Sequence, residues 1–125
     1  MNKHIASLFS SPVGYRSLLW LEGKRLADAG FLPGVQYTQT WMSDRIIFAL
    51  AGTPEPQVTT ITKTYTRKVN VNKGNPVIRI EGMALQKLFG EKFSTVEATF
   101  ERGMIVIVGK DAVQPVVDER EALAA

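Results

Sequence analysis

The apolar positions of this chain fall into short runs separated by glycines, prolines and polar pairs. Their periods predict strands more often than helices. Residues 17–21 and 77–80 are nearly continuous apolar runs of strand length. A glycine follows each, Gly23 and Gly82. Residues 24–29 and 83–89 then show the wider spacing of a short helix, with Leu26 and Leu85 turned inward and Ala29 and Leu88 one turn on. Gly30 stops the first helix and Gly90 the second. Pro33-Gly34 marks a turn. Residues 35–41 alternate apolar and polar, as a half-buried strand should; Ser43-Asp44 is the turn and 45–51 the return strand. A second hairpin follows the same plan, with 94–100, the Glu101-Arg102-Gly103 turn, and 104–108.

A further strand precedes each unit. Residues 58–71 are rich in β-branched side chains and predict β-structure interrupted near Arg67-Lys68; residues 5–9 take that part at the start of the chain. Residues 52–56 carry two prolines and form a linker, and 72–76 form a loop. Beyond Gly109 the chain turns polar and frays, with a helical turn at 118–124.

The two units repeat. Leu21-Glu22-Gly23-Lys24-Arg25-Leu26 matches Ile80-Glu81-Gly82-Met83-Ala84-Leu85 at a separation of 59 residues. At that separation Leu18-Leu19 meets Val77-Ile78, Thr40-Trp41 meets Thr99-Phe100, and 46–49 meets 105–108. Four blocks in one register point to a duplication. The organisation expected is a first repeat at 1–52, a proline-rich linker at 53–57, a second repeat at 58–110 and an acidic tail at 111–125, with both repeats sharing one core. The fold class is mainly β with short helices (α+β).

Composition narrows the chemistry. With 125 residues and 45% hydrophobic content the chain can bury a core as one domain, or as two small units that share one. It has no cysteine, which excludes disulfides, cysteine-based zinc sites and cysteine nucleophiles. Any histidine-based site would depend on His4 alone. No apolar run reaches the ~18 residues that a membrane span needs, and no secretory leader is evident, so a cytoplasmic protein is expected. Glu22 and Glu81 recur before the two helices, where the helix dipole explains them. No acidic cluster has metal-ligand character. The expectation is a binding protein, not an enzyme, with no catalytic residue, metal or cofactor.

Charge adds a direction. The net charge is only +3, but no acid lies between Glu55 and Glu81, a stretch that holds Lys63, Arg67, Lys68, Lys73 and Arg79. Such a stretch is either a polyanion contact or an edge strand blunted by its cations. Aromatic residues at strand positions are mostly core. Tyr65 is the candidate exception, because Lys63 and Arg67 flank it on the same strand face, the setting of a base-stacking residue.

The segment Leu21-Glu22-Gly23-Lys24-Arg25-Leu26-Ala27-Asp28-Ala29-Gly30-Phe31-Leu32-Pro33-Gly34-Val35 resembles the SymE-like toxin family, within the AbrB and MazE group of swapped-hairpin DNA-binding proteins. The second copy keeps the pattern but has Lys87-Leu88-Phe89-Gly90 where the first has Ala-Gly-Phe. The resemblance implies an AbrB-like swapped-hairpin barrel, here a pseudo-dimer closed within one chain, because a single strand–helix–hairpin is too small to bury its own apolar face. A further homodimer is an open alternative. The resemblance also implies DNA contact by Arg16, Lys24 and Arg25. Their equivalents in the second copy, Asn75, Met83 and Ala84, are not basic. The expected nucleic-acid face is therefore asymmetric, completed by Lys63, Tyr65, Arg67, Lys68, Lys73 and Arg79. The function expected is a DNA-binding regulator or SymE-like toxin of a bacterium, plasmid or phage. The alternatives are an RNA-targeting toxin, since SymE-like toxins are described as acting on RNA, and a protein-binding inhibitor module on the same scaffold.

Overall fold

The computed structural model describes residues 2–10, 17–53, 61–91 and 93–110. The apolar runs pair as antiparallel strands in two sheets. The first half contributes β1 (Asn2–Ser7), β2 (Phe9–Ser10), β3 (Ser17–Glu22), helix α1 (Lys24–Asp28), β4 (Gln36–Met42) and β5 (Arg45–Leu50). The second contributes β6 (Ile61–Lys68), β7 (Asn70–Asn72), β8 (Asn75–Gly82), helix α2 (Met83–Leu85) with a π-helical turn (Gln86–Gly90), β9 (Thr95–Glu101) and β10 (Met104–Lys110). The molecule is thus mainly β with short helices.

One sheet has six strands in the order β1-β9-β10-β5-β4-β6, and the other has four in the order β2-β3-β8-β7. Among the described residues neither sheet closes into a barrel. Both orders read the same from either end when each element is exchanged for its counterpart in the other half. The outer strands are exchanged: β1 lies beside the second hairpin, β9–β10, and β6 beside the first, β4–β5. The separation of 59 positions recurs at both ends of β4 and β9, and at the start of β5 and β10.

Two corner residues join the sheets. Leu8 lies between β1 and β2, and its N–H donates to the Ser94 carbonyl at 2.9 Å; Val69 lies between β6 and β7 and donates to the Val35 carbonyl at the same distance. Each corner lets one strand turn from the large sheet into the small one without leaving its backbone unpaired. The interruption expected near Arg67-Lys68 thus falls at Val69, which is buried.

The core fills the space between the sheets and helices. Leu26 and Leu85 are almost wholly buried at equivalent places in the two helices. Phe31, Tyr37 and Phe48 pack edge to face, with centroids 5.7 and 5.5 Å apart, in a geometry that aromatic rings favour. Gly23 and Gly82 precede the helices at φ values of 103° and 138°, in a region where a side chain would be strained.

Two local expectations need correction. Residues 72–76 are not an open loop: Lys73 and Gly74, with φ of 53° and 85°, make a two-residue hairpin turn, and Pro76 is a buried residue of β8. Positive φ at both central residues matches the twist of the flanking strands, which is why so short a connection suffices. Glu22 and Glu81 are not held by the helix ends alone. Glu22 accepts the Trp20 indole N–H at 2.8 Å and the Asn72 amide at 3.2 Å, while Glu81 accepts Arg79 Nη2 at 2.6 Å. Residue 54, the remainder of the proline-rich linker and the tail at 111–125 lie outside the described residues.

Candidate nucleic-acid interface

β6 is an edge strand of the large sheet, and its register against β4 sets the site. Lys63 faces Trp41, Tyr65 faces Gln39, and Arg67 faces Tyr37. Directly opposed residues share a face of the sheet, so these six side chains form two parallel rows. The β4 row is buried and hydrogen-bonded along its length. Trp41 Nε1 donates to Gln39 Oε1 at 3.2 Å, and Gln39 Nε2 donates to the Tyr37 hydroxyl at 3.1 Å. Gln39 is a buried polar side chain at an inward position, and these two bonds satisfy it. Burial pushes the Tyr37 hydroxyl above its ordinary pKa, a rise that its bond to Gln39 and the charge of Arg67 oppose.

The β6 row faces solvent. The Lys63 ammonium stands 5.5 Å from the Tyr65 ring centroid and the Arg67 guanidinium 4.7 Å from it, both within cation–π range. Tyr65 is half-buried, and both cations are exposed. Arg67 spends one N–H on the Thr66 carbonyl at 3.3 Å.

Between this row and β8 lies a cleft of about 210 Å³, lined by Gln39, Trp41, Tyr65, Arg67, Arg79 and Glu81 together with apolar residues of β8 and α2. Its origin is topological. The three-residue β7 pairs only with Asn75–Val77, so among the described residues the following stretch of β8 has no strand on that side. Ala84, at the start of α2, leaves the space open.

The other half lacks this arrangement. At equivalent places β9 carries Val96, Ala98 and Phe100, and β1 presents His4 opposite Ala98 and Ala6 opposite Val96. Where the cleft has Ala84, the first helix has Arg25. Burial first, and the Arg25 charge second, lower the His4 pKa below its ordinary 6.5. The inward row is therefore apolar in the second hairpin, Val96, Ala98 and Phe100, where the first hairpin has Tyr37, Gln39 and Trp41.

The expected site residues separate into groups. Tyr65, Arg67 and Arg79 meet around the cleft, with Lys63 beside Tyr65. Arg79 is held by Glu81, so it is not an unopposed charge. Lys68 lies on β6 but on the opposite face from Arg67, as the alternation of a strand requires. Lys73 sits in the β7–β8 turn. Lys24 is exposed and paired with Asp28 at 2.9 Å, one helical turn away. Arg25 acts on His4, which belongs to β1 at the opposite edge of the large sheet from β6. Arg16 lies outside the described residues. The expected site does not include Gln39, Trp41, Glu81 or Ala84: the sequence accounts for Glu81 by the helix dipole and for Ala84 only as the uncharged counterpart of Arg25. Only Gln39 carried a signal, as a polar residue at an inward position of an alternating strand.

Among the described residues no group of three or more histidines or carboxylates comes together as a metal cage would require, and no helix is long and apolar enough to cross a membrane. Comparison with protein-family models, with curated proteins and with solved structures finds no match.

Proposed function

We propose that this protein binds nucleic acid, duplex DNA in particular, along the β6 edge and the adjoining β7–β8 turn. One observation carries the reading. Among the described residues Lys63, Arg67, Lys68 and Lys73 are exposed, enter no ion pair and follow one another along the β6 edge and the β7–β8 turn with no acid in that stretch, whereas the other exposed, unpaired cations, Lys3, Arg25, Lys87, Arg102 and Lys110, are spread over other elements. Unpaired cations along one edge are what a phosphate backbone neutralises, and the counterions released supply much of the affinity. The position of Tyr65 favours phosphate contact over base stacking. Cations approach its ring from both directions along the strand, so a base would have to displace them to stack. Contacts of this kind position the protein without reading sequence.

The same proposal covers the fold family. The exchanged outer strands, the two equivalent corners and the matching element order support a tandem, single-chain form of the AbrB-like swapped-hairpin arrangement. The two bent strands, β1–β2 and β6–β7, would take the place of barrel staves. A DNA-binding regulator or SymE-like toxin is the role this reading favours.

The test is a salt series of fluorescence anisotropy with a short labelled duplex and an RNA of the same sequence. Three or four phosphate contacts give a log–log slope of about −3 on duplex DNA. Absence of binding to both polymers at low salt overturns the reading. Stronger binding to RNA would move it to the RNA-targeting alternative.

A further inference from the structure

The cleft between β6 and β8 is more than the edge contact needs. We infer that it is a discrete pocket for a phosphomonoester, with Arg67 and Arg79 as its anion ligands. The inference deepens the nucleic-acid reading where the phosphate is a strand end, and stands apart from it where the phosphate belongs to a free small molecule.

Size comes first. At about 210 Å³ the cleft falls below the ~300–1,000 Å³ of pockets for drug-sized ligands, so it takes one compact group. Its lining is polar as well as aromatic, and it includes two arginines, Arg67 and Arg79. Each is oriented by a neighbour. The Arg67 guanidinium carbon stands over the Tyr65 ring, 4.7 Å from its centroid, and Nη1 donates to the Thr66 carbonyl, which leaves its other donors for an anion. Arg79 is anchored through Nη2 on Glu81, which leaves its other donors for a ligand. Two oriented guanidinium forks suit the oxygens of a phosphate, which accept paired hydrogen bonds. A phosphomonoester carries about −1.5 to −2 charges at neutral pH, and two arginines offset by one glutamate, with Lys63 close by, match that charge. A backbone phosphodiester has ester links on two sides and cannot project into a concave cleft as a terminal group can.

Divergence of the halves points the same way. The counterparts of Gln39, Trp41, Tyr65, Arg67 and Arg79 are Ala98, Phe100, His4, Ala6 and the exposed Trp20, so neither arginine has a basic equivalent, and Arg25 stands where Ala84 leaves room.

Two titrations test this. In the first, anisotropy compares duplexes with 5′-phosphate and 5′-hydroxyl ends. In the second, calorimetry compares adenosine 5′-monophosphate with adenosine. Both use the full chain, Ala84→Leu, which narrows the cleft and leaves every cation in the sequence, and Arg79→Gln, which removes one anion ligand. If strand ends are the ligand, the 5′-phosphate duplex binds about tenfold tighter than its 5′-hydroxyl partner, as one charge-assisted contact would give, and both variants abolish the difference. If a free phosphomonoester is the ligand, the duplexes bind alike, the monophosphate binds, adenosine does not, and both variants lose that binding. The second arm reads out even if duplex DNA does not bind at all. No preference for the phosphorylated ligand in either titration, or a preference that survives both variants, overturns the inference.

Discussion

Trp20 and Arg79 face each other directly across β3 and β8, and they lie 59 positions apart, so each occupies the other's place in its own half. Ile47 and Val106 do the same across β5 and β10 in the larger sheet. Two such pairs, one per sheet, define an internal twofold axis that runs through both layers. The symmetry extends to polar contacts, because Trp20 and Arg79 each donate to the glutamate two residues further on. Trp20→Arg would set two cations face to face at the axis. Like charges directly opposite are destabilising, by about 0.2–1 kcal/mol on the scale of cross-strand pairs. A lower urea midpoint for this variant than for Trp20→Gln is the expected result.

Leu26 and Leu85 are buried at equivalent positions in the two helices. Leu26→Ala and Leu85→Ala should each cost about 2–5 kcal/mol, through lost transfer energy and the cavity left behind. Similar losses in urea unfolding are expected if both halves share one cooperative core. A midpoint unchanged in either variant would show that its helix is not part of that core.

Gln39 ties Trp41 to Tyr37 inside the sheet. Gln39→Leu keeps the approximate volume but leaves the Trp41 indole N–H without its acceptor and removes the donor to the Tyr37 hydroxyl. An unsatisfied buried polar group costs about 1–3 kcal/mol, so a lower thermal midpoint is expected despite the gain in apolarity. A variant as stable as the parent would show that these groups find other partners.

Replacing Lys63, Arg67 and Lys68 together by alanine removes three exposed cations and the two cation–π contacts on Tyr65, but no hydrogen bond or ion pair between secondary-structure elements. Duplex binding should weaken, and the salt dependence should flatten by about 2–3 in log–log slope. The circular dichroism spectrum should be unchanged. An unaltered slope would place the nucleic-acid contact elsewhere on the molecule.

His4 links stability to pH. Burial and the Arg25 charge lower its folded-state pKa below the unfolded 6.5, so the unfolded chain takes up the proton first. Stability is therefore full above pH 6.5 and falls as pH drops below it, towards the lower folded value. His4→Gln should flatten the stability profile in that window. Carboxylates such as Asp44, whose pKa is lowered chiefly by its hydrogen bond from Arg45, act only at more acidic pH. An identical slope in parent and variant between pH 5 and 7 would exclude His4 as its source.

How much of this was legible in the chain itself follows from what is local. Alternation in residues 35–41, the apolar return strands and the glycines before Leu26 and Leu85 are properties of neighbours within one turn or one pleat. They determined that the molecule is mainly β with short helices, and which side chains face inward. The separation of 59 positions was equally readable, because similarity between two stretches needs no knowledge of where either sits. Tyr65 between two cations was visible for the same reason, since residues two apart share a strand face. Only the tertiary structure decided which edge each outer strand joins, that β7 stops after three residues, and that this leaves β8 open beside Arg67. It also decided that Arg79 is held by Glu81 and that Gln39 is satisfied by two aromatic partners. Strand pairing and the gaps it leaves are set by which distant surfaces bury the most apolar area together. That sum runs over the whole chain and is written in no single stretch of it.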